Sequence, residues 1–164
     1  MDIFQIALII STFLCSLVAG FLFAYAIVVM PGIKNLNDRE FIRAFQVTDR
    51  IIQNNHPVFM LVWVGSAIAI LVSAIFGIGR LQGVDLFLLA LASLAYILGV
   101  QVSTIAIHLP LNNKLQTLDV DAMNETDIKV ARDDFEQRWN ASNLIRTAIA
   151  SCVSVLLIML LFRQ

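Results

Sequence analysis

Four long stretches of this chain carry no charged side chain, and they limit its fold more than any other feature. They cover residues 3–33, 57–79, 86–108 and 147–162. A helix needs roughly 20 apolar residues to cross about 30 Å of hydrocarbon. Within that layer only helices and closed barrels satisfy every backbone polar group. Three of the runs are long enough. The fourth has 16 residues, which cover about 24 Å at 1.5 Å per residue. The chain is 59% hydrophobic and only 14% charged, where a soluble domain carries about 25% charge. Residues 1–164 therefore read as a single all-α integral membrane domain, a four-transmembrane-helix bundle. A net charge of −1 and the lack of a basic patch point away from nucleic acid. Membrane lipids and a lipophilic small molecule are the expected partners, and a homo-oligomer stays open.

The first run reads as a retained span. No Lys or Arg precedes it, and it is longer than the apolar part of a signal peptide, about 7–15 residues. Cys15, in TFLC, lacks the small residue expected before a lipidated cysteine. Cys15 and Cys152 are both expected to be free thiols packing as small hydrophobes.

Expected helices cover about 3–29, 57–76, 86–108 and 127–163. Met30-Pro31-Gly32 should end the first, and Pro110 the third. Between the first two lies NLNDREF, with Asn37 as N-cap and Glu40 three residues on. Behind it Phe41, Ala44, Phe45, Thr48, Ile51 and Ile52 form an apolar stripe, with Arg39, Arg43, Asp49 and Arg50 off it. That predicts an amphipathic helix over about 38–54, lying at the membrane surface or leading straight into the second span. Asn54 or Asn55 is the expected cap before Pro57. Ile128, Ala131, Phe135 and Trp139 repeat at helical spacing, so the last helix should extend unbroken out of the membrane. The connections 31–56 and 109–142 hold four Lys/Arg each, against Arg80 and Arg163 on the other side. The positive-inside rule then puts both long connections in the cytoplasm and both termini outside. Asn124 and Asn140 begin N-x-S/T triplets, which on this topology face the wrong compartment for glycosylation.

This topology gathers both histidines and all three prolines at one membrane face. In WNASNLIR, the residues Trp139, Asn143 and Arg146 share one helix side. The shortness of the last run carries Arg146 to the hydrocarbon boundary, where a charge must snorkel, pair or face a polar cavity. Arg146 and Trp139 could serve as interfacial anchors. Alternatively the row faces inward and meets Asn112 or Asn113 to line a pocket, which would explain an amide one turn from the arginine. His56 and His108 have three readings: ligands for a haem or metal, a general base, or polar residues at helix ends. No HExxH, CxxC or EF-hand pattern occurs, so no metal site is predicted. No Asp, Glu, Lys or Arg lies mid-membrane, which argues against a proton-driven pump.

AYAIVVMPGI, FIRAFQ…IIQNNHPVF, HLPLNNKL and WNASNLIR follow one another along almost the whole chain. In this order they resemble the anthrone-oxygenase-like family of small four-helix membrane proteins. The resemblance implies a polar site of Asn112 or Asn113, Trp139, Asn143 and Arg146. For the oxygenase members it implies oxidation of an activated methylene by O2 to a ketone without flavin or nicotinamide. Neither histidine maps onto the family pattern.

Two readings of function result. One is a cofactor-independent oxygenase acting on a lipophilic aromatic, anthrone-like substrate. Its catalytic residues would be His108 or His56 as base and Arg146 as oxyanion support, with Asn112, Asn113, Asn143 and Trp139 binding substrate. The other is a non-catalytic membrane protein that binds a lipid, quinone or haem, or serves as a subunit for a partner docking on residues 125–138; a solvated helix face is the plain reading of that segment. No cofactor is predicted, with haem as the alternative.

Overall fold

The computed structural model describes residues 2–164. The described residues form five helices and no strand: α1 (Ile3–Ile33), α2 (Asp38–Gln53), α3 (Pro57–Ile78), α4 (Gly83–Gln116) and α5 (Glu125–Phe162). All but α2 are long and apolar enough to cross a membrane. The outer face of the bundle is apolar, with Phe13, Leu17, Ile68, Leu71, Phe87, Leu98 and Ile158 exposed. Hydroxyls lie inside: Ser66 Oγ meets Tyr96 Oη at 2.6 Å, and Ser11 Oγ meets Ser73 Oγ at 3.2 Å. Apolar surface outside with hydroxyl contacts between helices suits lipid as the solvent. This is a multi-pass, four-span membrane protein.

α1 packs along α3 and α5, and α4 along α5. α3 packs on the start of α4, Gly83–Leu94, only thinly on Ala95–Val102, and hardly at all beyond. The two helices therefore diverge from their tight connection toward the opposite end. Two cores result. One runs through the bundle around Leu8, Val18, Ile70, Tyr96 and Leu157. The other lies at the end where α3 and α4 part, built from Phe41, Phe45, Leu111, Ile128, Phe135 and Trp139. Outside the membrane α2 is fastened to α4 and α5. Arg39 donates to Glu125 and to the carbonyls of Val120 and Met123. Arg132 donates to Asp38, Glu136 and the carbonyls of Lys34 and Leu36 at 2.8–2.9 Å.

Several expectations need correction. Pro31 and Pro110 do not end their helices, which run on to Ile33 and Gln116. Each proline follows a π-helical stretch, Tyr25–Val29 and Thr104–His108. There Met30 N–H bonds Tyr25 O and Leu109 N–H bonds Thr104 O. The wider turn moves the carbonyl that a proline ring would otherwise strike. α2 lies against protein, and its buried side is Phe41, Ile42, Phe45, Gln46 and Asp49; Ile51, placed on the apolar stripe, is exposed. Asn37 caps α2 as expected, accepting from Glu40 N–H at 2.9 Å. His56, not an asparagine, is the cap residue of α3, while Asn55 takes a positive φ of 55°. Asn124 caps α5, which starts two residues earlier than expected. Cys15 is a buried free thiol, but Cys152 lies exposed on the outer face.

Candidate functional site

Where α3 and α4 part, the helices enclose a cavity of about 490 Å³, within the usual range for a small-molecule site. α1 contributes Phe21 and Tyr25, α2 contributes Phe45 and Asp49, and α3 contributes Phe59, Met60, Trp63 and Val64. α4 supplies Gln101, Thr104, His108 and Asn112, and α5 supplies Trp139, Asn143 and Arg146. The cavity lies at the junction of the two cores, at the level where the membrane-spanning part meets the cap.

Its walls are largely aromatic. Phe59 and Trp63 stack with ring centres 5.5 Å apart, and Phe21 packs on Phe59 at 5.4 Å. Trp139 touches Tyr25, Phe45 and His108 with ring centres 5.1–5.7 Å apart. Some lining residues also face outward: Val64 is 44% and Ile105 65% exposed. Those two flank the seam between α3 and α4. The cavity therefore opens sideways through an apolar slot on the outer surface of the bundle, with Asn55 and Gln53 at its extramembrane edge.

Two polar groups of side chains face the cavity. The first centres on Arg146, only 4% exposed. It donates to Thr104 Oγ1 at 2.8 Å and to Asn143 Oδ1 at 2.9 Å. Asn143 in turn donates to Leu22 O at 3.2 Å. Arg146 Nε has no partner, and no carboxylate pairs with this guanidinium among the described residues. A buried cation without a counter-ion is costly and is a functional signal in a membrane helix. The second group begins at Trp139, whose Nε1 donates to Asn112 Oδ1 at 3.0 Å. Asn112 Nδ2 donates to Asp49 Oδ1 at 2.8 Å. His108 lies between the two groups. Its Nε2 meets Ser142 Oγ at 2.9 Å, and Nδ1 is buried without a partner.

Five of the seven residues singled out from the sequence thus line one cavity: His108, Asn112, Trp139, Asn143 and Arg146. Asn113 is exposed and accepts from Gln53 Nε2 at 3.0 Å, outside the lining. His56 is exposed at the start of α3, also outside it. The structure therefore does not bring the histidines together as a ligand pair. Among the described residues no cluster of three or more His, Cys, Asp or Glu could hold a metal. Sequence reasoning missed Asp49, Tyr25, Thr104 and the Phe21–Phe59–Trp63 wall. For Asp49 a signal existed: Phe41, Phe45 and Asp49 are spaced by four, which puts the carboxylate on the buried row.

No curated protein and no solved structure matches the chain. The sequence model of the anthrone oxygenase family matches residues 49–156, about two-thirds of the chain, including the lining parts of α3, α4 and α5. This chain belongs to the anthrone oxygenase family.

Proposed function

We propose that the protein is an O2-dependent oxygenase, needing no organic cofactor, that converts an activated methylene of a lipophilic aromatic substrate to a ketone. The observation that carries this reading is Arg146: a buried guanidinium with no counter-ion, facing the same aromatic-walled cavity as His108. In the reaction His108 takes a proton from the methylene carbon. The competent tautomer keeps its proton on Nε2, donated to Ser142 Oγ, and leaves Nδ1 free to accept. The carbanion delocalises onto the substrate's carbonyl oxygen, whose growing charge Arg146 stabilises, held in place by Thr104 and Asn143. The carbanion adds O2 to give a peroxide anion, which regains the proton. The resulting hydroperoxide loses water across the C–H and O–O bonds. The sum turns one methylene group and one O2 into one ketone and one water. Carbon supplies the four electrons that O2 accepts. The apolar slot gives both substrate and O2 a path from the bilayer.

In this reading the two long connections lie in the cytoplasm and the termini outside. The test is O2 uptake by protein in lipid nanodiscs supplied with anthrone, with anthraquinone followed by mass spectrometry. Uptake matched mole for mole by ketone, lost in His108→Ala and retained in His56→Ala, is the expected result. Ketone formation no faster than in empty nanodiscs overturns the reading.

A further inference from the structure

Asp49 is the second charge on the cavity wall, and the proposed chemistry does not use it. It comes from α2, which lies outside the membrane-spanning set, yet it is 2% exposed. Its Oδ1 accepts from Asn112 Nδ2 at 2.8 Å, and its Oδ2 from Gln116 Nε2 at 3.1 Å and Gln53 Nε2 at 3.2 Å. A carboxylate has about four acceptor positions, so roughly one is left. No Lys or Arg pairs with it among the described residues.

Arg146 and Asp49 are therefore two buried, opposite and mutually unpaired groups on one cavity. Their separation can be read from α4. Arg146 is held by Thr104 and Asp49 by Asn112, eight residues further along the same helix. At no more than 1.5 Å per residue, the π-helical part rising less, the two anchors are at most about 12 Å apart along the axis. His108 stands midway. Both groups are fixed by neutral side chains, Thr104 and Asn143 at one end and three amides at the other. Either end is thus left to pair with something inside the cavity. An acceptor oxygen suits the guanidinium and a hydroxyl donor suits the carboxylate.

We infer that Asp49 is a specificity-determining residue that accepts a hydrogen bond from a hydroxyl at the far end of an elongated aromatic ligand, whose acceptor oxygen lies at Arg146. This rests on the reading of the cavity as the substrate site, but it concerns binding and needs no turnover. Trp139 and Asn112 become the positioning pair, because the indole N–H fixes the Asn112 amide so that its NH2 points to Asp49.

The experiment measures binding to protein in nanodiscs by quenching of Trp63 and Trp139 fluorescence, at mildly acidic pH where a phenol stays protonated. The probes are anthraquinone and 2-hydroxyanthraquinone, which do not react with O2. A hydrogen bond to a charged partner predicts a preference for the hydroxylated probe of about 10-fold or more in the natural protein. Asp49→Asn should abolish that preference and change the affinity for anthraquinone by less than about 3-fold. Asp133→Asn, at an exposed carboxylate of α5 outside the cavity, should keep it. A preference that survives in a folded Asp49→Asn protein overturns the inference, as does an equal loss of both ligands. If Asp49→Asn fails to fold, Asn112→Ala replaces it, since releasing the carboxylate from its anchor should also erase the preference. Oxygen uptake with anthrone, in place of the probes, is measured on the same protein preparations. Preference without uptake would retire the oxygenase and keep Asp49 as the reader; uptake without preference would do the reverse.

Discussion

α5 carries two buried arginines, and they are predicted to respond oppositely to the same substitution. Arg132 is fully engaged: two carboxylates, two carbonyls, and the face of Phe41 at 4.3 Å. Arg132→Met would leave Asp38 and Glu136 without their cation and two carbonyls without a donor. Breaking such a pair costs about 3 kcal/mol or more. Arg146 makes two hydrogen bonds to neutral oxygens, leaves Nε unpaired and has no counter-ion. Replacing a buried ion pair by apolar side chains of similar volume is often neutral or stabilising by about 1–4 kcal/mol, and a buried charge with no partner forfeits no ion-pair attraction when it is removed. The lost hydrogen bonds offset part of that gain, at about 1 kcal/mol each. Arg146→Met should therefore keep or raise the thermal midpoint in detergent. Its turnover should fall about 10²–10³-fold, the usual cost of removing one oxyanion donor. The assay pairs a melting curve followed by circular dichroism with O2 uptake on each variant. A midpoint lowered as far in Arg146→Met as in Arg132→Met would show that Arg146 is a structural residue. Turnover within about 3-fold of the natural protein would remove it from the chemistry.

Ile105→Trp should narrow the slot between α3 and α4; KM for a bilayer-delivered substrate should rise several-fold with kcat little changed, and an unaltered KM would mean access by another route. Gly99→Leu should destabilise the bundle by about 1–3 kcal/mol through overpacking, since even a Cβ there would sit 2.7 Å from Ile149 Cδ1; Ile149→Ala in the same chain should recover much of the loss in a thermal melt. Asp119→Cys and Gln82→Cys should label oppositely with a membrane-impermeant maleimide applied to intact cells. The position at Gln82 is expected to react and that at Asp119 to stay protected, and the reverse pattern would invert the proposed orientation.

The helices are legible in the sequence because uncharged runs of membrane length admit few alternatives, and the cap Asn37 because a polar residue before a helical pattern has few other uses. The row Trp139, Asn143, Arg146 is legible for a similar reason: the last apolar run is too short without it. The true helix ends near the prolines are not, since a π-helical turn leaves no mark in composition. Asp49 escapes because a charged side chain on an amphipathic helix is assigned to water by default. Its burial depends on three amides, two of them on α4, more than 60 residues away in sequence. The aromatic wall is hidden for another reason: Phe21, Phe59 and Trp63 sit in apolar runs where every residue looks alike.

Three π-helical stretches, Tyr25–Val29 on α1 and Ala95–Val102 and Thr104–His108 on α4, connect these gaps to the site. Tyr25 opens the first, Gln101 belongs to the second, and Thr104, Ile105 and His108 to the third; all five line the cavity. A π turn takes in one more residue than an α turn, so it shifts the facing of every side chain beyond it by about 100° relative to an uninterrupted α-helix. On α4 one helix serves two environments. Its buried residues up to Val100, namely Leu89, Ala92, Tyr96 and Val100, pack in the membrane core. Further along, Leu111 and Leu115 pack in the cap core. The cavity lies at the level of these stretches, between the two cores, and α4 supplies its polar groups from within them, Gln101, Thr104 and His108, and from just beyond, Asn112. The prolines follow from the same geometry, since a π turn is where a membrane helix can accept a proline without ending. Pro31 and Pro110, which look in the sequence like exits from the membrane, mark the level at which the site is built.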